Sequence, residues 1–169
     1  MKQGENVKIG QFNIIHESVM IGNNVEIGNF NIIEAGVKLG DNVIVGNNCE
    51  IGRDVIVEEN SILQGKIRTG NSCHISKSVT LKYGVILTSN VLLEERSFLG
   101  PNVITLGSTH ERITLHGTTI GKNTYVGANS TIAPNTKIGP DLVVGANSFV
   151  NKDLTESGIY VGTPIRKIK

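Results

Sequence analysis

The sequence repeats a six-residue unit along most of its length. From Ile9 to Thr105 one register holds for 17 units, and after an interruption it resumes at Ile120 for six more. Of these 23 positions, 21 carry Ile, Leu or Val, and the exceptions are Thr69 and Thr105. An amphipathic helix spaces its apolar residues by three, four and seven, so this period excludes one. It predicts short strands stacked coil upon coil, as in a parallel β-helix.

The companion positions predict one turn in each unit. Gly often follows the aliphatic residue, and a small Val, Ser, Cys or Thr, four residues after it, supplies a second inward position. The third position after it carries residue types that tolerate a positive φ angle. Three units per 18-residue coil would close a triangular prism of seven to eight coils. The third-position residues are Asn24, Gly36, Asn42, Asn48, Asp54, Asn60, Gly84, Asn90, Asn102, Asn123, Asn129, Asn135, Asp141, Asn147 and Asp153.

Composition supports one all-β domain over residues 1–169, with a C-terminal tail at 155–169. A core of stacked aliphatic residues needs few aromatic ones, and these make up only 4% of the chain. Cys49 and Cys73 fall on the small inward position, so we expect both to pack in the core rather than form a disulfide framework or a zinc cluster.

Charge and hydropathy exclude two classes of partner. A net charge of +1 offers no broad surface for neutralising phosphates, so nucleic acid is not an expected partner. No hydrophobic signal segment is visible, and no run of aliphatic or aromatic residues exceeds three. We therefore expect a cytoplasmic protein without a membrane span.

The unit, an aliphatic residue followed by Gly, any residue, Asn or Asp and a small residue, resembles the hexapeptide-repeat proteins over about residues 6 to 164. Periodicity does not give the hand of the coil. The resemblance implies a left-handed parallel β-helix that assembles as a homotrimer. One fold of this kind carries many activities, so function has to be read from its sites.

The interruption at residues 106–119 is where function is expected, because a coil that only stacks needs no residues outside the repeat. It contains two of the four histidines, His110 and His116. The stretch from Gly100 to His110 resembles the hexapeptide acetyltransferases of sugars, the group that includes maltose and galactoside acetyltransferases. In that family the His after Thr is the catalytic base, which implies this role for His110. Imidazole, with a pKa near 6.5, suits proton removal from an attacking hydroxyl or amine.

Residues 120–169 resemble the same family almost throughout. The resemblance implies that the backbone N–H of Ala128 binds the oxyanion of the tetrahedral intermediate. It also implies a groove for acetyl-CoA along small residues and one aromatic residue, namely Gly127, Ala128, Gly145, Ala146 and Tyr125. Three cations match family positions near the coenzyme's phosphates, although a solvated basic C-terminus is the alternative. These cations are Lys152, Arg166 and Lys169.

The acceptor is expected to be a sugar or nucleotide sugar. The long N-terminal run of coils resembles hexapeptide enzymes that modify nucleotide-linked amino sugars or surface polysaccharides. Galactoside-type members hold the sugar with an Asn near the position that Thr80 occupies here. We take Thr80, Asn102 and His116 as candidate acceptor contacts, and we expect O- or N-acetylation in surface polysaccharide synthesis without a metal ion.

Two other functions fit parts of the sequence. The segment 115–121 looks like the histidine-glycine segment of γ-class carbonic anhydrases, which share this fold and bind zinc with three His between subunits. His74, His110 and His116 could supply three imidazoles, but the last two are separated by six residues and those enzymes separate them by five. A catalytically silent scaffold is the other alternative. His16 and His74 are otherwise expected to be wall residues of the prism.

Overall fold

The computed structural model describes residues 2–169, and within them every regular element is a short β-strand. The strands in chain order are β1 (Lys2–Gln3), β2 (Lys8–Ile9), β3 (Ile14–Ile15), β4 (Met20–Ile21), β5 (Glu26–Ile27), β6 (Ile32–Ile33), β7 (Lys38–Leu39), β8 (Ile44–Asn47), β9 (Glu50–Ile51), β10 (Ile56–Val57), β11 (Ile62–Gly65), β12 (Arg68–Thr69), β13 (His74–Ile75), β14 (Thr80–Leu81), β15 (Ile86–Leu87), β16 (Leu92–Leu93), β17 (Phe98–Leu99), β18 (Ile104–Thr105), β19 (Thr119–Ile120), β20 (Tyr125–Val126), β21 (Thr131–Ile132), β22 (Lys137–Ile138), β23 (Leu142–Val144), β24 (Phe149–Val150), β25 (Gly158–Val161) and β26 (Arg166–Lys167).

Up to β24, every third strand belongs to the same parallel sheet. Sheet A begins at β1 and ends at β22, sheet B begins at β2 and ends with β25 and β26, and sheet C begins at β3 and ends at β24. Partner residues lie 18 apart in the sequence, as in Ile9↔Ile27, and 27 apart across the interruption, as in Leu93↔Ile120. This is a left-handed parallel β-helix, so the predicted fold is confirmed. β1 and β25 extend it at both ends to eight coils and the start of a ninth.

The three edges of the prism are named for the sheets they join. Edge AB comprises residues 4–6, 22–24, 40–42, 58–60, 76–78, 94–96, 121–123 and 139–141. Edge BC comprises residues 10–12, 28–30, 46–48, 64–66, 82–84, 100–102, 127–129 and 145–147. Edge CA comprises residues 16–18, 34–36, 52–54, 70–72, 88–90, 106–118, 133–135 and 151–153.

The predicted turns form at these edges. All but one of the Asn, Asp and Gly residues named for them have a positive φ. Asp153 is the exception; its carboxylate instead accepts a hydrogen bond of 2.8 Å from the Lys137 backbone N–H. The sequence pattern did not predict that Phe12 and Phe30 also take the left-handed conformation, where their rings stack with centroids 5.0 Å apart.

The core is a ladder of inward aliphatic side chains. The two threonines in this ladder accept hydrogen bonds from backbone N–H groups of the preceding coil through their hydroxyl oxygens. Thr69 Oγ1 accepts from the Gly52 N–H at 3.0 Å, and Thr105 Oγ1 accepts from the Thr88 N–H at 2.9 Å. Cys49 and Cys73 are free thiols buried in the core, as predicted. Burial raises the pKa of the Cys73 thiol to about 11.

The C-terminal residues close one end of the prism. β25 continues sheet B in parallel, and β26 turns back to pair antiparallel with it. Tyr160 and Ile165 are buried, and the Tyr160 hydroxyl donates to the Glu156 carbonyl at 2.8 Å. Within residues 2–169 there is no helix that could cross a lipid bilayer.

Candidate active site

The interruption of the repeat is a small β-hairpin that projects from edge CA. Ser108 and Thr114 form an antiparallel bridge, and the Thr109 N–H donates to the Ile113 carbonyl at 3.0 Å. The Arg112 N–H donates back to the Thr109 carbonyl, and Arg112 has a φ of 63°. A type I turn followed by a left-handed residue is a common three-residue hairpin connection. The tip of this hairpin therefore consists of His110 and Glu111.

The base of the hairpin is fixed against the preceding coil. A Cβ at Gly117 would overlap the carbonyl oxygen of Asn90, and one at Gly107 would lie 3.2 Å from Thr88 Cβ. The Leu115 N–H closes the base by donating to the Gly107 carbonyl at 3.0 Å. A cleft of about 440 Å³ lies between the hairpin and sheet C. Its polar lining includes Arg68, Thr88, Ser89, Asn90, Ser108 and Thr114.

His110 has no structural role within residues 2–169. Its side chain is 92% exposed, and its nearest charged neighbour is Glu111, with Nε2 and Oε1 3.9 Å apart. His116 is also exposed, and its backbone carbonyl accepts from the Asn135 N–H at 3.1 Å.

Ala128 lies on edge BC, in the seventh coil, with its backbone N–H unbonded among residues 2–169. At the same position in the first two coils, the N–H groups of Gln11 and Asn29 each donate at 2.7 Å to an Asn side chain one coil further on. The residue one coil beyond Ala128 is Ala146, which has no side-chain oxygen. Ala128 therefore presents a fixed and unpaired donor of the kind that an oxyanion requires.

The other residues of the predicted groove lie on or beside edge BC. Gly127 and Gly145 are glycines for a steric reason, because a Cβ at either position would meet atoms of the next coil. Tyr125, on sheet B, stacks on Phe98 with ring centroids 4.9 Å apart and an angle of 7° between the planes. The sequence analysis did not predict that Phe98 belongs to this surface. Phe98 lies 27 residues before Tyr125, which equals one 18-residue coil plus the nine extra residues of the interruption, so counting would have found it. The small edge thus runs beside an exposed aromatic surface.

The candidate acceptor contacts do not lie together. Thr80 is an outward residue of sheet B, opposite Phe98 in the strand register. Asn102 is on edge BC, where its Nδ2 donates to Asn129 Oδ1 at 3.2 Å. His116 is on edge CA with the hairpin. Residues of the cleft beside the hairpin, such as Ser89 and Thr114, were not predicted, because strand register inside a hairpin is not visible in the hexad pattern.

The three basic candidates are all exposed, and none forms an ion pair with another residue of the described chain. Lys152 is on edge CA, whereas Arg166 is in β26, the last strand of sheet B. The Lys169 carbonyl accepts from the Ile159 N–H at 2.9 Å, which ties the chain end to β25. One chain therefore does not bring Lys152 to the groove that Arg166 adjoins.

His74, His110 and His116 do not converge in one chain. His74 lies on sheet A, where its Nε2 is 2.8 Å from Glu58 Oε1. No three His, Cys, Asp or Glu residues between positions 2 and 169 are grouped as metal ligands.

Comparison with protein families identifies the repeat. Residues 117–152 match the model described as bacterial transferase hexapeptide (six repeats). Residues 13–53 and 36–65 match the model described as hexapeptide repeat of succinyl-transferase. The two models together match more than half of the chain. The chain belongs to the hexapeptide-repeat family. A comparison of the sequence with curated proteins gave no match.

Solved structures share the fold of this hexapeptide-repeat chain. The acetyltransferase domain of PglB from Neisseria gonorrhoeae FA1090, in complex with acetyl coenzyme A, is 13% identical with a TM-score of 0.57. The match covers 92% of this chain and 54% of that chain, so this chain spans about half of the PglB structure's length.

LpxA from Acinetobacter baumannii is 20% identical with a TM-score of 0.60, over 92% of this chain and 71% of that chain. A mutant of AntD, an N-acyltransferase from Bacillus cereus in complex with dTDP and coenzyme A, is 20% identical with a TM-score of 0.51, over 96% and 82%. At these identities the likeness establishes the fold.

Proposed function

We propose that this chain is an acyltransferase that moves the acetyl group of acetyl-CoA to a hydroxyl or amine of a sugar or nucleotide sugar. The observation that carries this proposal is the hairpin at the only break in the repeat between residues 9 and 150. It displays one imidazole, that of His110, which takes part in no structural hydrogen bond. A side chain held away from the core and from other partners is available for chemistry.

The proposed reaction is a direct attack. His110 takes the proton of the acceptor hydroxyl or amine as the acceptor's oxygen or nitrogen bonds to the thioester carbonyl carbon. The Ala128 N–H donates to the resulting oxyanion. The carbon–sulfur bond then breaks, and the departing thiolate of coenzyme A receives the proton from the imidazolium. Neither cysteine can serve as a nucleophile, because both are buried and the pKa of the Cys73 thiol is about 11.

Edge BC supports the binding of acetyl-CoA. Its small residues from Gly127 to Ala146 leave room for the extended pantetheine arm against the prism wall. Tyr125, which stacks on Phe98 and is 44% exposed, offers an adjoining aromatic surface for the base of the coenzyme. Arg166 and Lys169, free of ion pairs, lie near sheet B and could meet phosphates. The PglB domain binds acetyl-CoA and AntD binds coenzyme A on the same fold.

The cleft beside the hairpin supports a sugar acceptor. Its hydroxyl and amide side chains can donate and accept hydrogen bonds, as a sugar requires. Its single cation, Arg68, is already held by Glu50 through bonds of 2.8 and 3.0 Å. We place the reaction in the cytoplasm, in surface polysaccharide synthesis, and we propose a homotrimer, because the predicted base and the predicted oxyanion donor lie on different edges of one chain.

The test is release of coenzyme A thiol from acetyl-CoA in the presence of a panel of nucleotide-activated amino sugars and free glycans. We expect His110→Ala to lower turnover by about 10²-fold or more, the lower end of what a general base contributes. His16→Ala is the matched control, because His16 is also exposed, and its Nδ1 contacts only Ser18, at 2.9 Å from the hydroxyl and 3.2 Å from the backbone N–H. Full activity of His110→Ala would exclude this mechanism.

A further inference from the structure

We propose that the acceptor is an amphiphile, a sugar joined through a phosphate to an apolar chain, and that it lies along sheet C from the hairpin toward the first coil. The cleft beside the hairpin holds the sugar, two arginines bind the phosphate, and an exposed apolar patch contacts the chain. This inference deepens the proposed function and rests on it, because that function places the sugar in the hairpin cleft.

The apolar patch is the outer surface of Phe12, Ile14, Phe30 and Ile32. Phe12 and Phe30 end the first two corners of edge BC, and the isoleucines are the paired outward residues of the strands that follow, β3 and β6. In sequence order the four residues are 71%, 67%, 57% and 39% exposed. Large apolar side chains exposed side by side mark a binding site for an apolar partner.

The backbone at Phe12 and Phe30 is in a conformation that phenylalanine disfavours. Both residues have a φ of 58°, in the left-handed region that Gly and Asn adopt most readily. The same position of edge BC in the six later coils carries Asn48, Lys66, Gly84, Asn102, Asn129 and Asn147. Residues held in a disfavoured conformation cluster at binding sites. The two rings, exposed as they are, therefore serve a contact outside the chain more than they serve the fold.

Arg53 and Arg68 lie between the patch and the hairpin. Both line a cavity of about 450 Å³ that begins at Ile32. Glu50 holds Arg68 through Nε and Nη2, so the fork formed by Nη1 and the second Nη2 hydrogen is unused within residues 2–169. Arg53 Nε is 3.8 Å from Glu34 Oε2, which is too far for a hydrogen bond. The two carboxylates balance the two guanidinium groups in charge, so a phosphate would be held by the geometry of the free forks.

Arg68 joins this cavity to the hairpin cleft. Arg68 and Thr69 line both spaces, and the strand register places Ile32, Glu50, Arg68 and Ile86 in one outward column. The hairpin leaves the sixth coil, Arg68 is in the fourth, and the patch is in the first two. At about 4.8 Å per coil, Arg68 is roughly 10 Å from the hairpin and roughly 10–14 Å from the patch. The order along sheet C is therefore sugar site, phosphate site and apolar site, as in the amphiphile.

A nucleotide sugar fits this surface less well. It also carries phosphate next to its sugar, but the ribose beyond the phosphate has hydroxyls that need hydrogen-bond partners. The four side chains of the apolar patch have no donor or acceptor. An apolar chain needs none, and it covers surface that water would otherwise contact.

Binding of dodecyl phosphate below its critical micelle concentration tests the phosphate and chain sites without the sugar. By calorimetric titration we expect saturable binding at least about tenfold tighter than that of inorganic phosphate, because each buried methylene contributes about fourfold. Dodecyl maltoside has the same chain and a sugar but no phosphate, and it should bind at least about tenfold more weakly than dodecyl phosphate, because it lacks the charge-assisted hydrogen bonds. Equal affinity for the two amphiphiles, or no saturable binding of dodecyl phosphate, would overturn the proposal.

The double variant Phe12→Asn and Phe30→Asn tests the patch separately from the fold. Because Asn suits the left-handed backbone, the melting temperature should not fall, whereas the affinity for dodecyl phosphate should fall by about tenfold or more. Ile168→Asn is the matched control, since Ile168 is 64% exposed and lies at the other end of the prism. An unchanged affinity of the double variant would contradict the proposal. So would a change in its mass by light scattering, because the patch would then join copies of the chain.

Arg68→Gln tests the phosphate site. It should weaken the binding of dodecyl phosphate by about tenfold or more and leave the binding of dodecyl maltoside unchanged, because only the phosphate needs the charged fork. Arg96→Gln is the matched control, since Arg96 is also exposed and donates to a carboxylate, Glu95 Oε1 at 2.8 Å, but lies on edge AB. Equal losses in the two variants, or none in Arg68→Gln, would refute the phosphate site.

Acetyl transfer separates this inference from the proposed function. For the sugar that the acceptor panel identifies, thiol release is compared between its anomeric phosphate and the dodecyl diester of that phosphate. The wild-type kcat/KM should be at least about tenfold higher for the diester, and the variant with Phe12→Asn and Phe30→Asn should lose this preference. Equal kcat/KM values in the wild type would refute the inference and leave the proposed function standing. Binding of dodecyl phosphate as expected, with no thiol release from any acceptor, would refute the proposed function and leave the binding surface standing.

Discussion

Substitution of proline for Ala128 removes the one atom that the proposed mechanism requires there, the amide hydrogen. The corner accepts proline, since Pro101 and Pro140 occupy the same position in other coils. The distance between this corner and the Gly of the preceding coil is also the same at Pro140 and at Ala128. A Cβ built at Gly121 lies 2.6 Å from Pro140 N, and one built at Gly100 lies 2.6 Å from Ala128 N. No hydrogen bond within residues 2–169 is lost, because the Ala128 N–H has no acceptor there.

Loss of one oxyanion donor typically costs about 10²–10³ in kcat. We therefore expect Ala128→Pro to lower kcat for thiol release by that factor and to leave the KM for acetyl-CoA near its wild-type value, because this bond strengthens only in the transition state. The free energy of unfolding should be unchanged or rise by about 0.4–1 kcal/mol, as for proline at a compatible site. Ala128→Ser, which keeps the N–H, is the control. A folded Ala128→Pro protein with wild-type kcat would refute the assignment.

Two further perturbations test the hairpin base and the core. Gly117→Ala should lower the free energy of unfolding by about 1–3 kcal/mol, the usual cost of overpacking, and reduce thiol release, because the new Cβ overlaps the Asn90 carbonyl oxygen. Gly107→Ala should have a smaller effect, because its Cβ would lie 3.2 Å from Thr88 Cβ. Equal melting temperatures of the two variants would contradict this reasoning. The free energy of unfolding in urea should fall as the pH rises from 9 to 11. The pKa of the Cys73 thiol is about 11 in the folded chain and 9.0 in the unfolded chain, so the unfolded chain loses this proton first. Cys73→Val, placed between Val55 and Val91 of the adjacent coils, should flatten that decline, and an unchanged pH profile would show that Cys73 is not its source.

The six-residue pattern predicted most of the fold, because the position of a residue within its unit determines whether its side chain points into the core. The turn residues, the buried cysteines and the break before Ile120 all follow from counting in sixes. The free N–H of Ala128 follows from counting in eighteens, since the next coil places Ala146 at the corner position where two early coils have Asn29 and Asn47. The hairpin register does not follow, because residues 107–115 pair with one another and not with a coil.

Departures from the repeat are of two kinds, and hydrogen bonding separates them. Thr69 and Thr105 break the aliphatic ladder, yet each hydroxyl accepts a backbone N–H from an adjacent coil, so both are part of the framework. His110 and Ala128 leave a polar group without a partner in the described chain. A polar group that has no partner in the fold and lies at a defined position is available to a ligand. Substitutions at Thr69 and Thr105 should therefore change the stability of the coil, whereas substitutions at His110 and Ala128 should change the proposed reaction and leave the coil intact.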